Sequence, residues 1–145
     1  MRSKYSVAFV VLATVLAAGV GHTVVMAQAK KTVWDGVYTA EQATRGKATA
    51  AQQCDACHGG GIAGGDLAPT LVGNDFISHW YDAKLSELAD KITQTMPANA
   101  PGSLKPEEFA DIMAFMLQAS GMPAGQDALK IDKPALDAIM IVKKP

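Results

Sequence analysis

Cys54-Asp55-Ala56-Cys57-His58 holds both cysteines of the chain and one of its three histidines. Two thiols with two residues between them can serve several ends. A disulfide is the ordinary expectation in an exported protein, but so small a loop would stabilise little. A structural zinc wants four ligands, usually in two separated pairs. The only histidine downstream of this motif is His79, and Cys57 and His58 are adjacent. A redox-active dithiol belongs beside a βαβ pattern, and no strand run lies nearby.

The fourth reading is covalent haem attachment, for which C-x-x-C-H is the signature. Thiols three positions apart share one face of a helical turn. They can add to the two vinyl groups of one porphyrin, and the histidine directly after them sits beneath the ring as an iron ligand. One covalently bound haem c, held by Cys54 and Cys57 with His58 on the iron, is therefore the expected cofactor.

The N-terminus agrees with this chemistry. Residues 1–29 read as a secretory signal peptide: Arg2 and Lys4, then an uncharged run from Val7 to Val20, then small-residue cleavage sites after Ala27 or, with better alanine spacing, Ala29. The rival is an uncleaved anchor from Tyr5 to Ala27, long enough to span a bilayer but broken by Gly19, Gly21 and His22. Either way the rest of the chain is placed outside the cytoplasm, in the periplasm. Without the leader, 11 basic residues face 14 acidic ones, a charge of −3. That argues against a nucleic-acid binder. Of the 116 remaining residues 52 are apolar, but 19 of these are alanine and only seven are aromatic. The core is thin in side-chain bulk, and length allows one domain.

Working outward, Thr39-Ala40-Glu41-Gln42 fits a capping box. It predicts a helix from about Ala40 to Gln53 that delivers the two cysteines at its end. Gly46 and Ala50 share a face and would let a second helix cross closely; alanine-rich filler is the alternative. Downstream, Gly59–Gly65 contains five glycines and lacks the lysine that would make it a phosphate loop. Close approach to a bound macrocycle is the favoured use, with plain loop flexibility as the alternative. A metal-bound histidine commonly donates its second N–H to a carbonyl, and the Pro69 carbonyl is a candidate; an ordinary turn proline reads equally well. Asn74 or Asp75 is expected to cap a short helix through Phe76 and Trp80. Ser86 is expected to cap another, which stops before Met96-Pro97. Pro106 with Glu107 and Glu108 opens a strong helix carrying Phe109, Ile112, Met113, Phe115 and Met116, with Lys105 a poor N-cap. Asp132-Lys133-Pro134 starts one helical turn, and Ile139–Val142 is an apolar run able to pack back on the domain. The expected division is leader 1–29, extension 30–38, main domain 39–122 and tail 123–145.

A second iron ligand has several candidates. Met113 and Met116 lie mid-helix, where core packing is the safer reading. Met96 sits in extended geometry before a proline, on a loop that can be held against a flat cofactor. It is the favoured axial ligand, and a generic buried methionine is its alternative. His79 is the reserve ligand. Trp80 could give its indole N–H to a haem propionate; core packing explains it nearly as well.

Together these segments resemble small monohaem class I c-type cytochromes. Within them, Thr39–Gly125 looks most like the cytochromes associated with pyrroloquinoline quinone-dependent (quinoprotein) alcohol dehydrogenases. The matching pieces are Ala43-x-Arg45-Gly46-Lys47, the Cys54–Gly59 motif, Ala68-Pro69-x-Leu71-x-Gly73, Phe76-x-x-x-Trp80, Met96-Pro97-x-x-x-Pro101-Gly102-Ser103-Leu104 and the run from Phe109 to Gly121. The resemblance implies an all-α domain of about four to five helices around one covalent haem, with the first and last core helices crossing and with His58 and Met96 as axial ligands. Two departures stand out: Ala50 replaces a usual aromatic, so a looser crossing is expected, and Lys105 replaces a usual Ser or Thr cap, so a frayed first turn is expected.

Six-coordinate iron leaves no open substrate site, and no general base or nucleophile is evident. The expected function is outer-sphere single-electron transfer, in which the protein tunes the cofactor and exposes one haem edge. Gly59–Gly65, Ala98–Pro101 and Met122-Pro123 would cover that edge. The resemblance implies a quinoprotein dehydrogenase as donor and a downstream cytochrome or terminal oxidase as acceptor. A monomer meeting these partners in transient complexes is expected, with membrane contact only if the leader is uncleaved. The alternatives are a haem subunit fixed in a larger dehydrogenase and a small-ligand-binding haem sensor or enzyme.

Overall fold

The structure is a computed structural model and describes residues 30–145; the leader and its cleavage sites lie outside the described residues. Among the described residues, six helices and a two-residue strand pair make up the regular structure: β1 (Lys31–Thr32), α1 (Ala40–Gln53), α2 (Asp55–His58), α3 (Gly73–His79), α4 (Leu85–Thr95), α5 (Pro106–Ala119), α6 (Lys133–Asp137) and β2 (Ile139–Met140), with a 3-10 turn at Gly60–Ile62. The architecture is all-α. Its helix number exceeds the expected four to five because α2 is a single turn and α6 has five residues. No helix among the described residues is long and apolar enough to cross a membrane.

α1 begins where its capping box predicts. Thr39 Oγ1 accepts from the Gln42 N–H at 3.3 Å, and Gln42 Oε1 accepts from the Thr39 N–H at 3.3 Å. The Gln42 side chain also reaches the tail, with its amide donating to the Leu129 carbonyl (2.8 Å) while its oxygen accepts from the Leu129 N–H (2.7 Å). α1 crosses α5 at Gly46. A Cβ built there would fall inside the contact radius of the Asp111 carbonyl oxygen, so only hydrogen fits. The looser crossing expected from Ala50 is thus corrected: Gly46 sets the approach, and Ala50, Phe109 and Phe115 are all buried. Beside the crossing, Arg45 forks onto Asp111 at 2.7 and 2.8 Å.

Three expected caps are also corrected. The first turn of α5 does not fray, because Glu108 Oε2 accepts from the Lys105 N–H at 2.8 Å. That supplies the reciprocal half of a capping box without a Ser or Thr. α4 starts two residues earlier than a Ser86 cap would allow: Lys84 is its N-cap, Glu87 Oε1 takes the Lys84 N–H at 3.1 Å, and Ser86 is buried. α3 starts at Gly73 after Val72, not at Asn74 or Asp75, and the Gly73 N–H is taken by Ser120 Oγ at 3.0 Å.

The core joins α1, α3, α4 and α5 with both terminal segments. Met113, Met116 and Leu117 of α5 pack with Leu85 and Leu88 of α4, Phe76 of α3, and Tyr38, Leu136 and Ile141 from the flanks. Burial of Met113 and Met116 agrees with their reading as packing residues. The flanks pair with each other as parallel β1 and β2, Lys31 opposite Ile139 and Thr32 opposite Met140. Trp34 Nε1 adds a donation to the Val142 carbonyl at 2.9 Å.

Candidate functional site

α1 ends at Gln53, and the next turn is the motif itself. Cys54 is the C-cap of α1 and the N-cap of α2, and its carbonyl accepts from the N–H groups of Cys57 (3.1 Å) and His58 (2.9 Å). The helical turn therefore brings both thiols to one stretch of backbone, three residues apart. Both cysteines are free, Cys57 exposed and Cys54 half-buried. Burial, and secondarily the Asp55 carboxylate, pushes the Cys54 thiol above its ordinary range. Such a thiol is not an activated thiolate, which counts against the redox-dithiol reading. The zinc reading fails as well: among the described residues no three or more His, Cys, Asp or Glu side chains converge to hold an ion.

His58 is buried at the end of α2, and its Nδ1 lies 2.7 Å from the Pro69 carbonyl oxygen. A carbonyl only accepts, so Nδ1 carries the proton. In the neutral ring the lone pair then sits on Nε2. The loop is built to bring Pro69 back. Gly64 donates to the His58 carbonyl (2.7 Å), Gly65 to that of Ala68 (3.1 Å), and Leu71 to that of Ile62 (2.9 Å). Gly59 has φ +74°, and a Cβ there would strike the Gly64 carbonyl. Gly59, Gly64 and Gly65 thus serve a tight return. Asp55 is a structural residue that the motif pattern alone does not single out. Its carboxylate accepts from the N–H groups of Gly61 and Ile62, both at 3.1 Å, and folds the loop onto the motif. An acidic residue before a glycine run was the available signal, since such side chains close local turns.

Met96 caps the C-terminus of α4 in extended geometry (φ −123°, ψ 152°) and is half-buried. Its N–H donates to the Ile92 carbonyl (3.0 Å), and its own carbonyl accepts from the Gly102 N–H (3.1 Å). Both backbone groups are thus engaged, and the loop 96–102 is closed at its neck. Trp80 caps α3 and packs half-buried against the core, with the His79 ring edge-on at 5.4 Å. Met122 is buried, and its carbonyl accepts from Tyr38 Oη at 2.6 Å. It is therefore removed from the expected edge-covering set, whereas Ala98–Pro101 and most of Gly59–Gly65 are exposed.

Two free thiols on one turn, a histidine oriented through Nδ1 with its other nitrogen left for a metal, and a glycine loop closing against them fit a covalently held haem iron. A cavity of about 550 Å³ lies elsewhere, lined by Trp34, Asn74, Ile77, Ser120 and Lys143 among others. It shares no residue with the motif, and the attachment chemistry, not cavity size, locates the site.

Fold and site together define a c-type cytochrome domain, an electron-transfer unit carrying haem c and not an enzyme in itself. The chain belongs to the cytochrome family described as cytochrome c oxidase, cbb3-type, subunit III, whose model matches residues 41–116. Among solved structures it is similar to the sulfane dehydrogenase SoxCD from Paracoccus pantotrophus, with 22% identity and a TM-score of 0.55 over 74% of this chain. This chain spans 61% of the length of that solved chain, and the likeness is one of fold. No curated protein matches.

Proposed function

We propose that the chain is an exported, periplasmic electron carrier that moves single electrons by outer-sphere transfer, from a quinoprotein dehydrogenase to a downstream cytochrome or oxidase. The observation that carries this reading is the 2.7 Å contact between His58 Nδ1 and the Pro69 carbonyl at the end of the Cys54–His58 turn. When bound, haem c supplies one iron centre that alternates between ferric and ferrous states. Cys54 and Cys57 would tether it. His58 would bind through Nε2, while its Nδ1–H bond would hold the ring and raise its basicity. Met96 would offer an uncharged thioether as the second ligand, which would raise the potential relative to a second nitrogen. Trp80 is assigned to the propionate side. The quinoprotein donor rests on the resemblance of the Met96–Leu104 block. Small, weakly charged docking faces suit brief redox encounters.

A second reading, a haem subunit fixed in a larger oxidoreductase, draws support from the oxidase subunit for which the family is described. Purification separates the two. A soluble monomer that has lost its first 27 or 29 residues supports the carrier, and a full-length protein extracted only with detergent and partners supports the subunit.

A pyridine haemochrome spectrum with an intact mass tests the attachment. One haem per chain is expected, and the mass of bare polypeptide would refute it. For Met96, the reduced wild-type protein should not change on adding carbon monoxide, whereas Met96→Ala should bind it readily. Rapid binding by the wild type would remove Met96 as a stable ligand and favour a sensor.

A further inference from the structure

Taking Met96 as the second iron ligand, as proposed above, we infer that the tail segment 132–141 is a clamp that positions this ligand by holding α4, with Ser86 and Asp137 as its positioning residues. α4 and Met96 are continuous, because the Met96 N–H bonds to Ile92 of the last turn. Eleven residues make a rod roughly 16 Å long, so rotation or sliding at its start is delivered to its end.

The tail grips that start. Lys84 and Met140 form an antiparallel bridge, the Ile141 N–H donates to the Ala83 carbonyl at 2.9 Å, and the Asp82 N–H donates to the Ile141 carbonyl at 2.9 Å. Two residues after Lys84, Ser86 Oγ donates to Asp137 Oδ1 of α6. Ser86 is 1% exposed, so its hydroxyl needs a hydrogen-bond partner within the protein. An apolar contact there would tolerate sliding, whereas a directional bond to a carboxylate selects one register. Lys133 adds contacts to Asp90 (3.1 Å) and Asp137 (3.7 Å), but these are half-exposed and weak. The clamp is itself anchored, since β2 pairs with β1 and Leu136, Ile139 and Ile141 are buried in the same core as Leu85 and Leu88.

The test is imidazole titration of the ferric, full-length holoprotein, followed by its visible spectrum as imidazole displaces the thioether. Ser86→Ala and Asp137→Ala should each bind imidazole about tenfold more tightly than wild type, the effect of losing a hydrogen bond to a charged group. Asp137→Asn, which keeps an acceptor, should restore most of the difference. Arg45→Ala, which breaks the α1–α5 pair and no clamp contact, should lower the melting temperature yet leave imidazole affinity within about twofold, separating positioning from general loosening. Met96→Ala runs alongside. If it leaves imidazole binding unchanged, the ligand reading fails and the clamp with it. If it opens the iron while Ser86→Ala and the folded Asp137 variants bind imidazole like wild type, the clamp alone is overturned.

Discussion

At the scale of single residues, position 46 decides how close the helices come. Hydrogen is the only side chain that fits over the Asp111 carbonyl, and the obstacle is backbone, which cannot swing aside. Gly46→Ala should therefore destabilise the holoprotein by about 1–3 kcal/mol, although alanine is the better helix former by about 1 kcal/mol. A thermal melt that rises instead would show that α5 can shift at little cost. The neighbouring glycine, Gly59, allowed no such certainty from sequence, because a flexible linker and a forced positive φ look alike in a glycine run. His58 is the opposite case. Its place after Cys57 makes it the expected ligand, and the Pro69 carbonyl is the expected acceptor for its Nδ1–H. That the carbonyl sits within hydrogen-bonding reach depends on loop bonds that no short pattern encodes.

At the scale of elements, local signals worked where the partner lies within one turn. Thr39 and Gln42 predict the start of α1, and both bonds form. Thr39→Ala should cost about 1 kcal/mol of stability, measured by denaturant midpoint at unchanged slope; an unchanged midpoint would mean that Gln42 and the tail alone hold that end. The misread caps share a cause. Ser86, Asn74 and Asp75 all have cap chemistry, yet Ser86 is drawn inward by Asp137 and α3 borrows Ser120 from the end of α5. Those partners stand 51 and 47 residues away, and tertiary placement outranks local preference. Lys105 shows the converse. A poor N-cap is tolerated because Glu108, three residues on, takes the orphan N–H.

At the scale of the whole molecule, the modest core acquires a meaning. Nineteen alanines and seven aromatics among 116 residues leave little bulk, and a covalently bound macrocycle would add the missing apolar bulk. A Cys54→Ala, Cys57→Ala chain made without haem should accordingly be largely disordered at neutral pH, with weak far-ultraviolet helical signal and no cooperative melt. A sharp helical transition in that apoprotein would show that the protein core suffices alone.

The amino-acid sequence by itself determined the cofactor chemistry, the helical class and the order of the segments. These rest on residue types at fixed short spacings, and spacing in sequence becomes spacing in space within one helical turn. Only the tertiary structure decided how near α1 lies to α5, which caps survive, that Met122 is inside, and that the tail grips α4. Each of these turns on groups dozens of residues apart, whose meeting is set by burial of a shared core and by pairing of buried polar atoms, and neither leaves a periodic trace in the chain.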